Sequence, residues 1–473
     1  MRRIEEVAGN NTSDLTEMNR SAIVRILQQK EVCTRAEIAK LMGLTQASIT
    51  KLVGYLIEMG VVSEVGIVKG NGNRRSIGLR LNAEKNLVIG VKFSRHVFAI
   101  GVFDISGKLY TQKETEFGLD ENTGIVLAQM KKQIRDLLDE YKNIVAIGLA
   151  LPGPYLRKEG RIAMVTRMPS WHNINFIEEF ENEFDKPVFI EQDANAGALA
   201  EWWFGDHGRP LSSLTYFLVG EGVGSGVVDN DRLLLGYQGI ASEVGHISID
   251  YNGPVCECGN RGCLELYSST TAFLKEAKLK LPELFRDKYE NRTMACERVF
   301  DAARSGNTKA KALVEKIAEY IGYGCVTLIN AYDPEIIVIG DSISKADELC
   351  QHIICLNLRQ PLSPMLPYHM KKCSQENFPG SSSLVAYLAA STNKVVARNS
   401  AQTKLLESGF IINCNMNASL IISLLKPHSS AYVYAASINS GRCGILASII
   451  LSPLRTNSHF FTASLLISRL VHP

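Results

Sequence analysis

Residues 87–110 read LVIGVKFSRHVFAIGVFDISGKLY, two apolar runs broken by a short polar turn. Leu87–Phe93 and Val97–Asp104 have the length and the Val, Ile and Phe content of strands, and Ile105-Ser106-Gly107 turns the chain into a third strand from Lys108. A helix is expected over 123–141, followed by a buried strand, Ile144–Leu151, that stops at Pro152-Gly153-Pro154. A second half begins near Leu214, with a strand over 215–219, a glycine-rich turn, another short strand over 226–228, a helical stretch and a buried strand over 335–340.

Strand-strand-strand-helix-strand is the opening of an actin-like ATPase fold, in which two such α/β halves flank a cleft. The rest of the composition agrees with a multi-domain globular chain. Its 473 residues suffice for about three domains at ~150 residues each, and 46% hydrophobic against 21% charged residues excludes wholesale disorder. The longest apolar stretch, 87–103, is interrupted by Lys92, Arg95 and His96, so no membrane span is expected. Arg2, Arg3, Glu5 and Glu6 precede no apolar signal region, so the expected location is the cytoplasm, with the eleven cysteines as free thiols or metal ligands.

Charge is distributed unevenly. Residues 1–82 carry twelve Lys/Arg against eight Asp/Glu, and the remaining chain carries thirty-nine against forty-one. Within that basic front, Leu15, Met18, Ala22, Ile23, Ile26 and Leu27 mark one amphipathic helix. Thr34, with Glu37 three residues on, has the capping-box pattern for a second helix that runs to Gly43. A third starts at Thr45, with Ile49, Leu52, Val53 and Leu56 on one face. The tight Gly43-Leu44-Thr45 turn has helix-turn-helix spacing, and Thr45, Gln46, Ser48, Thr50 and Lys51 lie off the apolar stripe, where they would reach base edges and phosphates. A hairpin over 61–81 follows, its tip carrying Asn-Gly, Arg74 and Arg75 as a basic wing. The whole reads as a winged helix-turn-helix on operator DNA; a small helical domain with a solvated basic loop is the blander alternative.

Three constellations lie in the large module. Glu191-Gln192-Asp193-Ala194-Asn195 ends a strand and opens a helix, which puts Asp193 at a strand's C-terminal edge, where α/β sheets bind ligands and a carboxylate can take or hold a hydroxyl proton. His246, Cys256, Cys258 and Cys263 fall within eighteen residues among glycines, the pattern of a closed Cys₃His structural zinc site. Gly220-Glu221-Gly222-Val223-Gly224-Ser225-Gly226 is either a phosphate cradle or an ordinary hairpin bend.

Taken together, LPGP at 151–154, QDANAGALAEWWFG at 192–205, EVGH at 243–246 and CECGNRGCLE at 256–265 resemble the ROK family of repressors, open reading frames and kinases. The resemblance runs from about residue 15 to about 340 and implies four segments: a winged helix-turn-helix over 1–82, lobe 1 over 83–213, lobe 2 with the zinc motif over 214–365, and an atypical tail over 366–473. Members with the front module resemble sugar-responsive repressors of carbohydrate operons of the xylose and N-acetylglucosamine type, and members without it are usually sugar kinases. By matching motif, Asp193 takes the position of the kinase base, while Glu243, His246 and Glu265 take those that hold sugar hydroxyls. Gln192, in place of the usual Asn, and Asn173 join them as candidates for the sugar site.

The departures point away from catalysis. Where family kinases carry a pattern like Asp-x-Gly-Gly-Thr, this chain has Lys92-Phe93-Ser94-Arg95, and Glu221 stands where they place Thr. The expectation is therefore a repressor that binds operator DNA as a homodimer or homotetramer and is released by a sugar or sugar phosphate, without ATP-dependent turnover. An ATP-dependent sugar kinase with an accessory DNA-binding module is the alternative, and a partner protein could replace the sugar as signal. Beyond about residue 364 the pattern fails: after Cys373 there is no aspartate and only Glu376 and Glu407 are acidic, which suggests a shifted reading frame, a fused segment or a C-terminal extension.

Overall fold

The computed structural model describes residues 12–69, 75–165, 168–205, 207, 211–285, 292–346, 349–350, 369–372, 419–420 and 436–437. The chain divides into two units, residues 1–403 and 404–473. The tail expected over 366–473 lies outside the described residues except for three short strands.

The first unit begins with a three-helix head. Helix α1 spans Thr12–Lys30, and a two-residue strand β1, Cys33–Thr34, leads into α2, Arg35–Met42. The capping box forms as expected: Thr34 Oγ1 accepts from Glu37 N at 3.3 Å, and Thr34 N donates to Glu37 Oε2 at 2.8 Å. Gly43 ends α2 at φ +64°, a left-handed conformation that favours glycine, and Thr45 caps α3, Gln46–Glu58. Ile49, Leu52, Val53 and Leu56 of α3 pack with Ile23, Leu27 and Ile38 into one core. Strands β2, Val62–Lys69, and β3, Arg75–Leu81, form the wing hairpin. β1 pairs with β3, an antiparallel contact too short to read from the sequence.

Lobe 1 is a five-stranded sheet. β4, Leu87–Phe93, β5, Val97–Asp104, and β6, Leu109–Glu116, form an antiparallel meander. After α4, Thr123–Glu140, strand β7, Ile144–Leu151, returns parallel to β4. A small hairpin of β8, Tyr155–Leu156, and β9, Arg161–Ile162, and a short helix α5, Phe176–Glu181, precede β10, Val188–Gln192, which is parallel to β7. The sheet order is β10-β7-β4-β5-β6. Its central strands are buried along nearly their whole length, which is why they read as continuous apolar runs rather than as alternation.

Helix α6, Asp193–Phe204, crosses from one sheet to the other. Its Ala196 packs with Val88, Phe103, Ala146 and Phe189 of lobe 1, while Ala194, Ala198 and Trp202 pack with Leu214, Tyr216, Leu218 and Val228 of lobe 2. Small residues are required because the approach is close: a Cβ on Gly226 would lie 2.5 Å from the Ala194 carbonyl oxygen.

Lobe 2 repeats the topology. β11, Ser213–Val219, β12, Val223–Asp229, and β13, Arg232–Leu233, are antiparallel. Helices α7, Glu265–Ser268, α8, Thr270–Lys280, α9, Arg292–Arg304, and α10, Thr308–Tyr332, lead to β14, Ile336–Gly340, which lies parallel to β11. A fifth strand, β15, His369–Lys372, lies parallel to β14, past the boundary expected at 365, and the sheet order is β13-β12-β11-β14-β15. In the second unit the described part is one ladder, β16, Ser419–Leu420, against β17, Ala436–Ser437. Among the described residues no helix is long and apolar enough to cross a membrane.

Candidate functional site

The parallel strands of both lobes end at one cavity of about 1110 Å³. Its lining comes from the turns after β4 (Ser94, Arg95), β7 (Pro152 to Pro154), β10 (Asp193), β11 (Glu221, Gly222) and β14 (Asp341, Ser342), the carboxyl ends where α/β sheets bind ligands.

One end of the cavity gathers five of the six candidate sugar residues. Gln192, Asp193, Glu243, His246 and Glu265 all line it. Gln192 Nε2 donates to Glu243 Oε1 at 2.8 Å, while the buried Gln192 Oε1 has no partner. A buried acceptor left without a donor is costly, and a ligand hydroxyl would satisfy it. Asp193 Oδ1 accepts from Ala194 N at 2.8 Å on the first turn of α6, and Glu265 Oε2 accepts from Val223 N at 2.9 Å. Behind this layer the buried Glu191 pairs with Arg157 and accepts from Asn195 Nδ2 at 3.1 Å, which fixes the start of α6. Burial pushes Asp193 up to about 6, with Lys92 and the Ala194 N–H working the other way. Burial and the nearby Asp193 push Glu243 up to about 8, against the Gln192 hydrogen bond.

Asn173 does not join this group. It is exposed at the end of the 3₁₀ turn Pro169–Asn173 and is absent from the cavity lining. Trp171 fills the core at that turn, and His172 Nε2 accepts from Val165 N at 3.3 Å, so the turn is anchored with Asn173 facing solvent.

Next to these residues the cavity is crossed by ion pairs between the lobes. Lys92 Nζ sits 3.0 Å from Asp341 Oδ2. Arg95 donates to the Glu221 carbonyl at 2.9 Å and approaches Glu265 Oε1 at 3.4 Å. Burial opposes the charge on both Lys92 and Asp341, but their pairing prevails: Lys92 is held above its usual range, and Asp341, also bonded by Ser342, is held below it. Residues 220–222 form a hairpin bend, with Gly220 N donating to Gly222 O at 2.9 Å. Asp341 carries no local signal in the sequence, although it follows a buried parallel strand in the way Asp193 does.

Beside the cavity, His246, Cys256, Cys258 and Cys263 place their ligand atoms within 4.8 Å of one another. Cys258 Sγ and Cys263 Sγ are 3.6 Å apart, and Cys256 Sγ is 3.8 Å from His246 Nδ1. Tetrahedral zinc with Zn–S bonds near 2.3 Å spaces its ligands by about 3.8 Å, so the residues fit such an ion. Burial and then the neighbouring thiols raise the Cys263 thiol, so three thiolates packed this closely call for a cation. Gly262 at φ +60° lets the loop turn inward, where a Cβ would strike the Asp250 carbonyl oxygen at 1.8 Å.

In the head, Thr45, Gln46, Ser48, Thr50 and Lys51 are exposed along one face of α3, and Arg75 is exposed at the start of β3; Arg74 lies outside the described residues. Cationic side chains of α1 brace the head internally and against the body. The Arg20 guanidinium of α1 stacks on the Tyr55 ring of α3 at 3.5 Å. Five residues on, Arg25 pairs with Asp231 in the β12–β13 turn and lies 4.6 Å from the Trp202 ring of α6, whose Nε1 donates to Asp231 Oδ1 at 2.9 Å.

Comparison with known proteins gives a consistent picture. The ROK family profile matches residues 88–374. A xylose repressor of Caldicellulosiruptor bescii is 30% identical over 349 residues, 72% of this chain and 87% of that protein. A glucokinase of Thermotoga maritima is 32% identical over 267 residues, 55% of this chain and 84% of that protein. Among solved structures, a ROK family transcriptional regulator, homolog of the E. coli MLC protein, superposes with a TM-score of 0.65 at 22% identity, covering 81% of this chain and 98% of that one.

Proposed function

The chain belongs to the ROK family, and on that premise we propose that it is a sugar-responsive transcriptional repressor. The observation that carries the reading is the joining of a helix-turn-helix head, its α3 polar face exposed, to a body whose cleft is lined by Gln192, Asp193, Glu243 and Glu265. The relative named a xylose repressor aligns over most of the chain, whereas the glucokinase aligns over little more than half of it.

In this reading the head binds operator DNA through Thr45, Gln46, Ser48, Thr50 and Lys51, with Arg74 and Arg75 of the wing on the phosphate backbone. A homodimer, or a pair of dimers, presents two α3 helices about one helical turn, ~34 Å, apart. Sugar hydroxyls donate to Asp193, Glu243 and Glu265 and to the unpartnered Gln192 Oε1, with His246 alongside. His246, Cys256, Cys258 and Cys263 would hold zinc, whose charge neutralises the thiolates and ties the segment bearing Glu243 to that bearing Glu265. Helix α6 carries Asp193 at its first turn and Trp202 at its last, so a shift of the first turn reaches Arg25 and, through α1 and Arg20, the DNA-reading helix. ATP-dependent turnover is not expected, because Lys92 is held by Asp341 and Glu221 adds a further carboxyl group to the cavity lining, where a triphosphate would be repelled.

The test is capture of genomic DNA fragments by the zinc-replete protein, with and without a panel of sugars, alongside an ATP phosphorylation assay on the same panel. Enrichment of one palindromic sequence, released by one sugar without phosphate transfer, is the expected result. Sugar phosphorylation with no enriched DNA would replace this reading with the kinase.

A further inference from the structure

The cavity lining is rich in carboxyl groups. It contains nine carboxylates, among them Asp193, Glu221, Glu243, Glu265, Glu297 and Asp341, against four Lys and Arg side chains. Each of those four already meets a carboxylate. Lys92 pairs with Asp341 at 3.0 Å, Arg95 with Glu265 at 3.4 Å, Arg292 with Glu221 at 3.6 Å, and Lys345 with Glu297.

Arg95 and Lys92 both border the sugar end, Arg95 at Glu265 and Lys92 near Asp193, and the partner of Lys92 is firmly built in. Asp341 Oδ1 accepts from Ser342 N at 2.6 Å and from Ser342 Oγ at 2.9 Å, while Oδ2 takes Lys92. The same carboxylate packs against the Gly220 backbone, where an added Cβ would come within 2.7 Å of it. A phosphate group entering here would have to displace Asp341 from Lys92, and would leave that carboxylate buried beside a second anion. A neutral hydroxyl has no such cost, because it donates to the carboxylates already present.

We propose that the effector is an uncharged sugar and that Asp341, acting as a built-in anion on Lys92, excludes phosphorylated sugars from the cleft. This rests on the assignment of Gln192, Asp193, Glu243 and Glu265 as the sugar end. Repulsion at Asp341 acts on the terminal phosphate and leaves the ring's hydroxyl contacts unchanged, so specificity arises from an element set against the wrong ligand.

The experiment is calorimetric titration of the full-length, zinc-loaded protein with free aldopentoses, aldohexoses and their N-acetylamino derivatives, each matched with its terminal phosphate ester. The wild type should bind one free sugar at least about 100-fold more tightly than its ester, a difference on the scale of a buried like-charge contact. Asp341→Asn, which keeps the size and the Ser342 contacts, should narrow that ratio by tenfold or more, and Asp341→Ala further. Equal or tighter binding of the ester by the wild type overturns the proposal, as does a ratio unchanged in both variants. Binding of neither form by folded protein overturns the sugar-site assignment itself, and the proposal with it.

Discussion

The two lobes have the same strand order and opposite chemistry at equivalent turns. In each, a three-stranded antiparallel meander precedes two strands that return parallel to its first member. The turn after the first strand carries Arg95, close behind Lys92, in lobe 1, and Gly220-Glu221-Gly222 in lobe 2, and Asp341 directly follows the fourth strand of lobe 2. The difference teaches that topology decides where a site falls but leaves its chemistry open. The two matching strand-end turns are joined to one another by the hydrogen bond from Arg95 to the Glu221 carbonyl. A second asymmetry separates the lobes: lobe 1 stands on aromatic packing around Phe93, Trp171 and Phe176, whereas lobe 2 carries the Cys₃His cluster.

Breaking this second asymmetry should have the largest effect. Stripping zinc, or Cys258→Ser, is expected to lower the unfolding temperature of lobe 2 by about 10 °C or more, roughly the loss of several kcal/mol, while lobe 1 unfolds where it did before. Differential scanning calorimetry with zinc analysis would resolve the two transitions, and identical traces with and without metal would remove zinc as a structural element.

Charge reversal across the seam comes next. Lys92→Asp sets two buried carboxylates face to face and should cost about 3–5 kcal/mol in denaturant unfolding, and the double swap Lys92→Asp with Asp341→Lys should recover at least half. Failure of the swap to recover anything would mean that the pair matters by position rather than by charge.

Asp193, the lobe 1 carboxylate among the candidate sugar residues, gives a pH test. The folded pKa of Asp193, about 6, lies above its ordinary 3.8, because burial penalises the ionised form. Above pH 6 the native protein therefore holds this charge at a cost, and as pH falls from 6 toward 4 the native state takes up the proton first and the cost disappears. Asp193→Asn should stabilise the protein at pH 8 by up to about 3 kcal/mol, with a gain that shrinks below pH 6 and is gone near pH 4. A gain independent of pH would assign it to packing instead.

The smallest effect is expected where the lobes meet the head. Arg25→Ala should change operator affinity by less than about threefold while reducing the sugar-induced loss of DNA binding about fivefold or more, on the usual scale of coupling between sites. Fluorescence anisotropy with labelled operator, with and without sugar, measures both numbers.

Much of this was legible in the sequence, for physical reasons. The strands of lobe 1 are buried on both faces and so read as unbroken apolar runs; Thr34 and Glu37 announce a helix start; cysteines spaced among glycines in a polar segment suit a metal ion and make a poor core. What escaped were pairings between distant residues. Lys92 and Asp341 lie 249 positions apart, and nothing local marks Asp341 beyond its place after a buried strand. Arg25, Trp202 and Asp231 each look like ordinary surface or helix residues until the fold brings them together. Asn173 is the opposite case: the sequence singles it out, but its neighbour Trp171 takes the inward position on that turn and Asn173 is exposed.

The Arg25–Asp231–Trp202 junction has a consequence that runs against the usual direction of signalling. Coupling between two ligands is reciprocal: by whatever factor sugar weakens the hold on DNA, DNA must weaken the hold on sugar. A protein seated on its operator is therefore a poorer sugar receptor than one free in solution. The sugar concentration that half-fills the protein is then set partly by how much operator is present, and adding operator fragments to the purified protein would raise it.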